Sequence, residues 1–244
     1  MKKILTISVL ALLVGYIVFA AVALCRKPAG QVCQGVRLEI RDSLSTDYMT
    51  TRDITTLLAK NSLDPTGQPL DEVNLSIIEQ AVEASPLIAS CECYKTIGGH
   101  VMVQVECRKP ILRIITEHND SYYLDEEGKA ISHIPSGVYV PIATGNISRK
   151  FAQEQLFPLA CYLKEEEFWN AQIEQIHVTA RQEIELIPRV GDHIIVLGRP
   201  EDYEEKFGKL KAFYEKGLSE VGWDRYSRIS LDYTGQVVAT KRKP

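Results

Sequence analysis

Six cysteines (Cys25, Cys33, Cys91, Cys93, Cys107, Cys161) and five histidines (His100, His118, His133, His177, His193) are the side chains best able to ligate a metal or supply a nucleophile. Their spacing serves neither purpose. The sequence holds no CxxC, HxxxH or HExxH, the pairings that a zinc site or a metalloprotease would need. Asp125-Glu126-Glu127-Gly128 looks like part of a cation loop, yet it lacks the ligand spacing of an EF-hand. It reads instead as a polar turn, its acids side by side and not converging across a cleft. No GxSxG, P-loop or SxxK is found, and no Cys–His pair sits in a reactive context. The residues therefore nominate no catalytic centre, no metal and no cofactor. Most of the cysteines read as small buried hydrophobes, and Glu165-Glu166-Glu167 as the solvated face of a helix.

The segment with the strongest physical demand is Ile4–Leu24, 21 residues without a charge. At ~1.5 Å rise per residue it spans a bilayer core of roughly 30 Å as one helix. Lys2 and Lys3 precede it; Arg26 and Lys27 follow. A short basic leader before an N-terminal apolar helix sends the C-terminal part outward, so residues 1–3 read as a cytoplasmic tail and 4–24 as a signal anchor. A signal peptide cut after Val18-Phe19-Ala20 and a lipid anchor on Cys25 are the competing readings. The run exceeds the ~7–15 residues of a cleavable apolar region, and bulky Leu24 stands where a lipid anchor needs a small residue, which favours the membrane anchor.

From Arg26 onward, 26 basic residues face 32 acidic ones, a net charge of −6. That excludes nucleic acid and flat adsorption on anionic lipid as natural partners. Hydrophobic content is 45 % and charged content 25 %, with no low-complexity tract, so the part beyond a linker at 25–33 reads as folded throughout.

Val36, Leu38 and Ile40 alternate with Arg37, Glu39 and Arg41, which predicts a half-buried strand. Ser43–Tyr48 is a polar connection. Thr51-Arg52-Asp53 opens a helix with Ile54, Leu57 and Leu58 on one face, and the Pro- and Gly-rich stretch 61–69 must be loop. A second helix carries Val73, Ile77, Ile78, Ala81 and Val82 and ends before Pro86. Leu87–Ile97 and His100–Arg108 then form a hairpin around Gly98-Gly99. Its core side is read as Ala89, Cys91, Cys93, Val101, Val103, Val105 and Cys107. A turn at 98–100 would set Cys91 opposite Cys107, either as a disulfide or as two buried thiols.

In the remainder, Ile111–Thr116, Tyr122–Leu124, Ala130-Ile131, Ile173–Thr179, Glu183–Ile187 and His193–Leu197 read as strands. Ser148–Trp169 and Tyr203–Leu218 read as helices, the second with a core stripe of Phe207, Leu210, Phe213 and Tyr214. Ile229–Tyr233 and Gln236–Thr240 form a final hairpin across Thr234-Gly235. With no later strand to cover it, the last strand is a candidate sheet edge that could accept a partner's strand.

The order strand–helix–helix–strand–strand after a membrane anchor resembles a POTRA domain, here residues 34–110. Ser85-Pro86-Leu87-Ile88 with Ser90-Cys91-Glu92-Cys93, and the run Val101–Pro110, resemble the form of that domain found in bacterial FtsQ/DivIB cell-division proteins, with Cys107 where Glu is usual. Residues 111–244 resemble the β domain that follows it in that family. The similarity is carried by Tyr122–Gly128, Val138–Gly145, Glu183–Gly198 and Ile229–Ala239, with Ser230 and Asp232 in place of the usual Asp and Arg. The fold this implies is α+β: a single transmembrane helix, a POTRA domain, then a mixed, largely antiparallel sheet with flanking helices. The function it implies is a non-catalytic inner-membrane divisome scaffold. Such a protein would be a single-pass type II protein at the septum with its bulk in the periplasm. It would bind FtsB-like and FtsL-like coiled-coil partners and so help control the septal synthases FtsW and FtsI. By position, the FtsB-capturing residues would be Tyr233, Gln236, Val237, Val238 and Ala239. The alternative reading is a POTRA-containing adaptor for envelope transport or outer-membrane assembly.

Overall fold

Thr50 starts the first helix of the folded part with both halves of a capping box. Its hydroxyl accepts from the Asp53 N–H, and its own N–H donates to the Asp53 carboxylate at 2.8 Å. The Thr50 hydroxyl, which also donates to Asp53 Oδ2 at 2.6 Å, and then the Thr50 N–H hold the Asp53 carboxyl below its ordinary range. The computed structural model describes residues 12–20, 30–41, 48–135 and 137–243. Residues 12–20 are helical; the rest of Ile4–Leu24, with Cys25, lies outside the described residues, as does the connection before Tyr48. Among the described residues no helix is long and apolar enough to cross a membrane.

The first unit runs β1 (Gly35–Ile40), α1 (Thr51–Lys60), α2 (Leu75–Glu83), β2 (Ile88–Lys95) and β3 (His100–Cys107). Its sheet has the order β1-β3-β2, with β1 parallel and β2 antiparallel to β3. Ile54 and Leu58 of α1, and Ile78 and Val82 of α2, pack onto Val101, Val103 and Val105. Val32 bridges Pro69 and Cys33 is buried, so the last residues of the stretch read as linker are built into the fold.

The hairpin corrects two expectations. Its loop is centred one residue earlier than a turn at 98–100, so Cys91 pairs with Val105 and Cys107 with Ile88. No Cys91–Cys107 disulfide spans that register. A bulge between Ile88 and Ser90 then changes the alternation, so Ile88 is buried and Ala89 exposed.

The second unit is a nine-stranded sheet, ordered β12-β11-β10-β9-β8-β7-β4-β5-β6. The strands are β4 (Pro110–Thr116), β5 (Ser121–Asp125), β6 (Ala130–Ile131), β7 (Ile142–Gly145), β8 (Ile173–Val178), β9 (Ile184–Pro188), β10 (Ile194–Gly198), β11 (Tyr226–Ser230) and β12 (Val238–Lys241). Pairs β4/β7, β7/β8 and β10/β11 are parallel and the other five antiparallel. Helix α3 runs through Arg149–Phe151, Ala152–Leu156 and Phe157–Glu165, the middle segment being π-helical. Pro158 explains the wide turn: with no N–H to donate back to residue 154, it forces the ladder to change register just before it. Helices α4 (Glu167–Gln172) and α5 (Tyr203–Phe213, continued by Tyr214–Leu218) complete the layer. Trp169 lies 4.9 Å from Phe207 and 5.8 Å from Tyr214, ring centre to ring centre, at the middle of this core.

The two cores meet. Tyr123, Ile131 and Ile134, which follow the first unit in sequence, are buried in its core. Arg108 at the exit of β3 reaches Asp125 at the end of β5, 2.8 Å away.

Candidate functional site

The final hairpin is not the tight turn that Thr234-Gly235 suggests. Strand β11 begins at Tyr226, β12 at Val238, and residues 231–237 form the loop between them. The apolar side of β11 sets this: Ile229 and Leu231 are both fully buried, and the chain leaves the ladder once Leu231 has donated its N–H to the Val196 carbonyl. Tyr233 and Gln236 are thus exposed loop residues, Tyr233 at 52 %. Val237 packs against the core, as does Ala239 opposite Ile229, while Val238 is 40 % exposed. Asp232, in the same loop, lies against Gly198 (φ +74), its carboxylate in the space a side chain at 198 would need.

Strand β12 is the terminal strand of the sheet. Leu231 faces β10 with its N–H, so by alternation Ser230 and Arg228 face β12, paired with Val238 and Thr240. The Arg242 N–H donates to the Arg225 carbonyl at 3.0 Å, in the same phase. The main-chain groups of Ala239 and Lys241 consequently point away from β11. Among the described residues nothing pairs with them. The strand's far end is clamped by Arg242, whose guanidinium donates to Asp192 at 2.7 Å. Beside the edge, a shallow groove of about 410 Å³ runs between α5 and the loop, lined by Ala212, Phe213 and Val237 with Lys216 and with Lys209, which is paired with Glu205 at 3.4 Å.

The first unit treats its edge differently. The N–H groups of Cys91 and Cys93, on edge strand β2, donate to Glu83 Oε1 (3.0 Å) and Glu79 Oε1 (2.7 Å) of α2. Helix side chains thereby occupy the donors an added strand would use, a common way to blunt an edge. Cys91 Sγ and Cys93 Sγ lie 3.9 Å apart, and the hydrogen bond to Cys91, with burial, pushes the Cys93 thiol up. A thiol so raised is a poor nucleophile.

The other sequence candidates are structural. Asp125 is buried; its Oδ1 accepts from the N–H groups of Glu127 (2.9 Å) and Lys129 (2.7 Å), and its Oδ2 from Arg108. Sequence reasoning saw the turn and missed this role, because Arg108 is on another unit. His193 is also buried, with Nε2 2.7 Å from the Tyr214 hydroxyl. Burial holds its imidazole below the usual histidine range, against the pull of Asp192 and Asp224 and with the help of Arg242. The unfolded chain therefore takes up a proton as pH falls below about 6.5, before the folded protein does, and stability drops in that window. Wild type is expected to lose stability from pH 7.5 to 5 by up to ~1.4 kcal/mol per unit of depression, and His193→Gln to lose less. Urea midpoints at the two pH values check this.

A family model for "FtsQ/DivIB, C-terminal related" matches residues 109–240, more than half of the chain. The chain belongs to the FtsQ/DivIB family. A POTRA-like domain model matches residues 31–106, the three-stranded unit and the segment leading into it. A comparison with curated proteins found no match. Membership in the FtsQ/DivIB family points to a role in cell division and to a membrane protein of the division site. Strands β4 to β12, with the exposed edge, all lie within or at the end of the region matched by the family model.

Proposed function

We propose that this FtsQ/DivIB-family protein is a non-catalytic divisome scaffold, anchored in the inner membrane by Ile4–Leu24, that captures an FtsB-like coiled-coil protein by strand addition to β12. FtsL-like proteins and the septal synthases FtsW and FtsI would belong to the same complex. The observation that carries the reading is the sheet edge itself: among the described residues nothing pairs with the outward main-chain groups of Ala239 and Lys241, and strand addition needs such a row of donors and acceptors. The groove lined by Phe213 and Val237 can take an apolar side chain of the incoming segment, and Lys216 favours an acidic residue beside it. Tyr233, Gln236, Val237, Val238 and Ala239 are its proposed contact residues, Val238 and the exposed loop residues by side chain and Ala239 by main chain.

Proline distinguishes the two faces of the strand. At Ala239 it removes an outward N–H and leaves the β11 ladder intact; at Thr240 it removes an inward one. Ala239→Pro is expected to abolish partner capture with a near-normal urea midpoint, and Thr240→Pro to cost on the order of 3 kcal/mol. In-cell photocrosslinking from position 238 identifies what sits on the edge. Capture of a small single-span coiled-coil protein is the expected result. An outer-membrane barrel protein would favour the envelope-assembly adaptor, and intact binding by Ala239→Pro would refute strand addition.

A further inference from the structure

The tip of the β2–β3 hairpin presents an isoleucine almost wholly to solvent: Ile97 is 97 % exposed, between Thr96 and Gly98-Gly99. It is not a loose tip. The Thr96 N–H donates to the His100 carbonyl (2.8 Å) and the Gly99 N–H to the Thr96 carbonyl (3.1 Å), closing the turn. The segment entering the first unit holds it from the side. The Gln31 side-chain amide donates to the Ile97 carbonyl at 3.1 Å, and the Gln34 N–H donates to the Gly99 carbonyl at 2.8 Å. Val32, between these two contacts, is itself 49 % exposed.

This places a rigid apolar point against the part of the chain nearest the Ile4–Leu24 run. Gln31 is seven residues past Leu24, a reach of roughly 25 Å at most when fully extended. We infer that the hairpin tip, through Ile97 with Val32 beside it, seats in the lipid surface from which the chain emerges and so fixes the tilt of the first unit on the bilayer. The inference rests on the membrane-anchor reading of Ile4–Leu24. The occupant is lipid, not a peptide, because a single apolar side chain on a convex turn offers no groove and its turn main chain is already bonded internally. Electrostatics is not what seats it. Lys95 flanks the tip on one side, but Asp71 and Glu72 follow Leu70 on the loop that brackets Val32, so zwitterionic lipid suffices.

The test uses the full chain in phosphatidylcholine nanodiscs with or without brominated acyl chains. Tryptophan is placed at Ile97→Trp or, as a control on the distant loop, at Tyr233→Trp, and the emission of the wild type's own two tryptophans is subtracted. The expected result is a fall of about twofold in brominated discs for position 97, with a blue shift, and no change for position 233. Incorporation into discs with position 97 unquenched would overturn the tip insertion and leave the anchor standing. Failure to incorporate would overturn the anchor reading, and the inference with it. Equal quenching at both positions would show a domain lying unspecifically on the lipid and would also overturn it.

Discussion

Asp125→Ala is expected to lower the stability of the protein by about 4 kcal/mol, because one carboxylate serves three donors at the joint between the two units. Its side chain is 3 % exposed and that of its partner Arg108 17 % exposed. Removing it leaves the Arg108 guanidinium only the exposed Glu127 carboxylate at 3.7 Å, and leaves the N–H groups of Glu127 and Lys129 without their acceptor. A surface pair such as Lys150–Glu154 has no such consequence, since water replaces the lost partner. Asp125→Asn keeps an oxygen for the two N–H groups but sets an amide NH2 where Oδ2 accepted from Arg108, so the ion pair is lost while the turn is kept and about half the effect is expected. In a double-mutant cycle with Arg108→Met, the combined loss should fall well short of the sum of the single losses. Urea denaturation of the four proteins measures this. Additive losses would mean that Arg108 and Asp125 act independently and that the joint is held by Tyr123, Ile131 and Ile134 instead.

Gly145→Ala should be as damaging, about 3–5 kcal/mol, for a reason of backbone and not of charge. Gly145 ends β7 in the middle of the large sheet, paired with Thr116 on one side and Val178 on the other. Its φ of +107° is one that side-chain-bearing residues rarely adopt, and an added Cβ would overlap the Val178 carbonyl oxygen. That oxygen cannot step aside, for it accepts the Asn146 N–H at 3.0 Å. Gly235 supplies the comparison. It also has a positive φ (+71), but nothing lies within 4 Å of the added atom. Gly235→Ala is expected to cost ~1–2 kcal/mol, the penalty of the backbone conformation alone. The difference between the two glycines, read from urea midpoints, isolates the overlap. Equal costs would show that the sheet relaxes around residue 145.

Much of this architecture is legible in the sequence because it depends on local periodicity. The alternation of Val36, Leu38 and Ile40, the helical stripes of α1, α2 and α5, and the stops at Pro86 and Gly198 each follow from which side chains can share a face. The element order they give carries the family resemblance, and the family match bears that resemblance out. What the sequence left open depends on residues far apart in the chain. The β2–β3 register hinges on a bulge at Ile88–Ser90, which changes which residues face the core without any sequence signal for it. The last hairpin opens into a seven-residue loop because Leu231 is buried in the core and bonded to β10, a demand that Thr234-Gly235 cannot reveal. Asp125 looked like one acid of a solvated turn until Arg108 closed on it. Even the candidate edge needed the tertiary structure. A last strand need not be an outer one, and β12 lies at the border because β11 pairs with β10 on one side and β12 on the other, while no strand among the described residues pairs with the far side of β12. Side-chain pattern decides which face of a strand is buried; only the assembled sheet decides which main-chain groups are left for a partner.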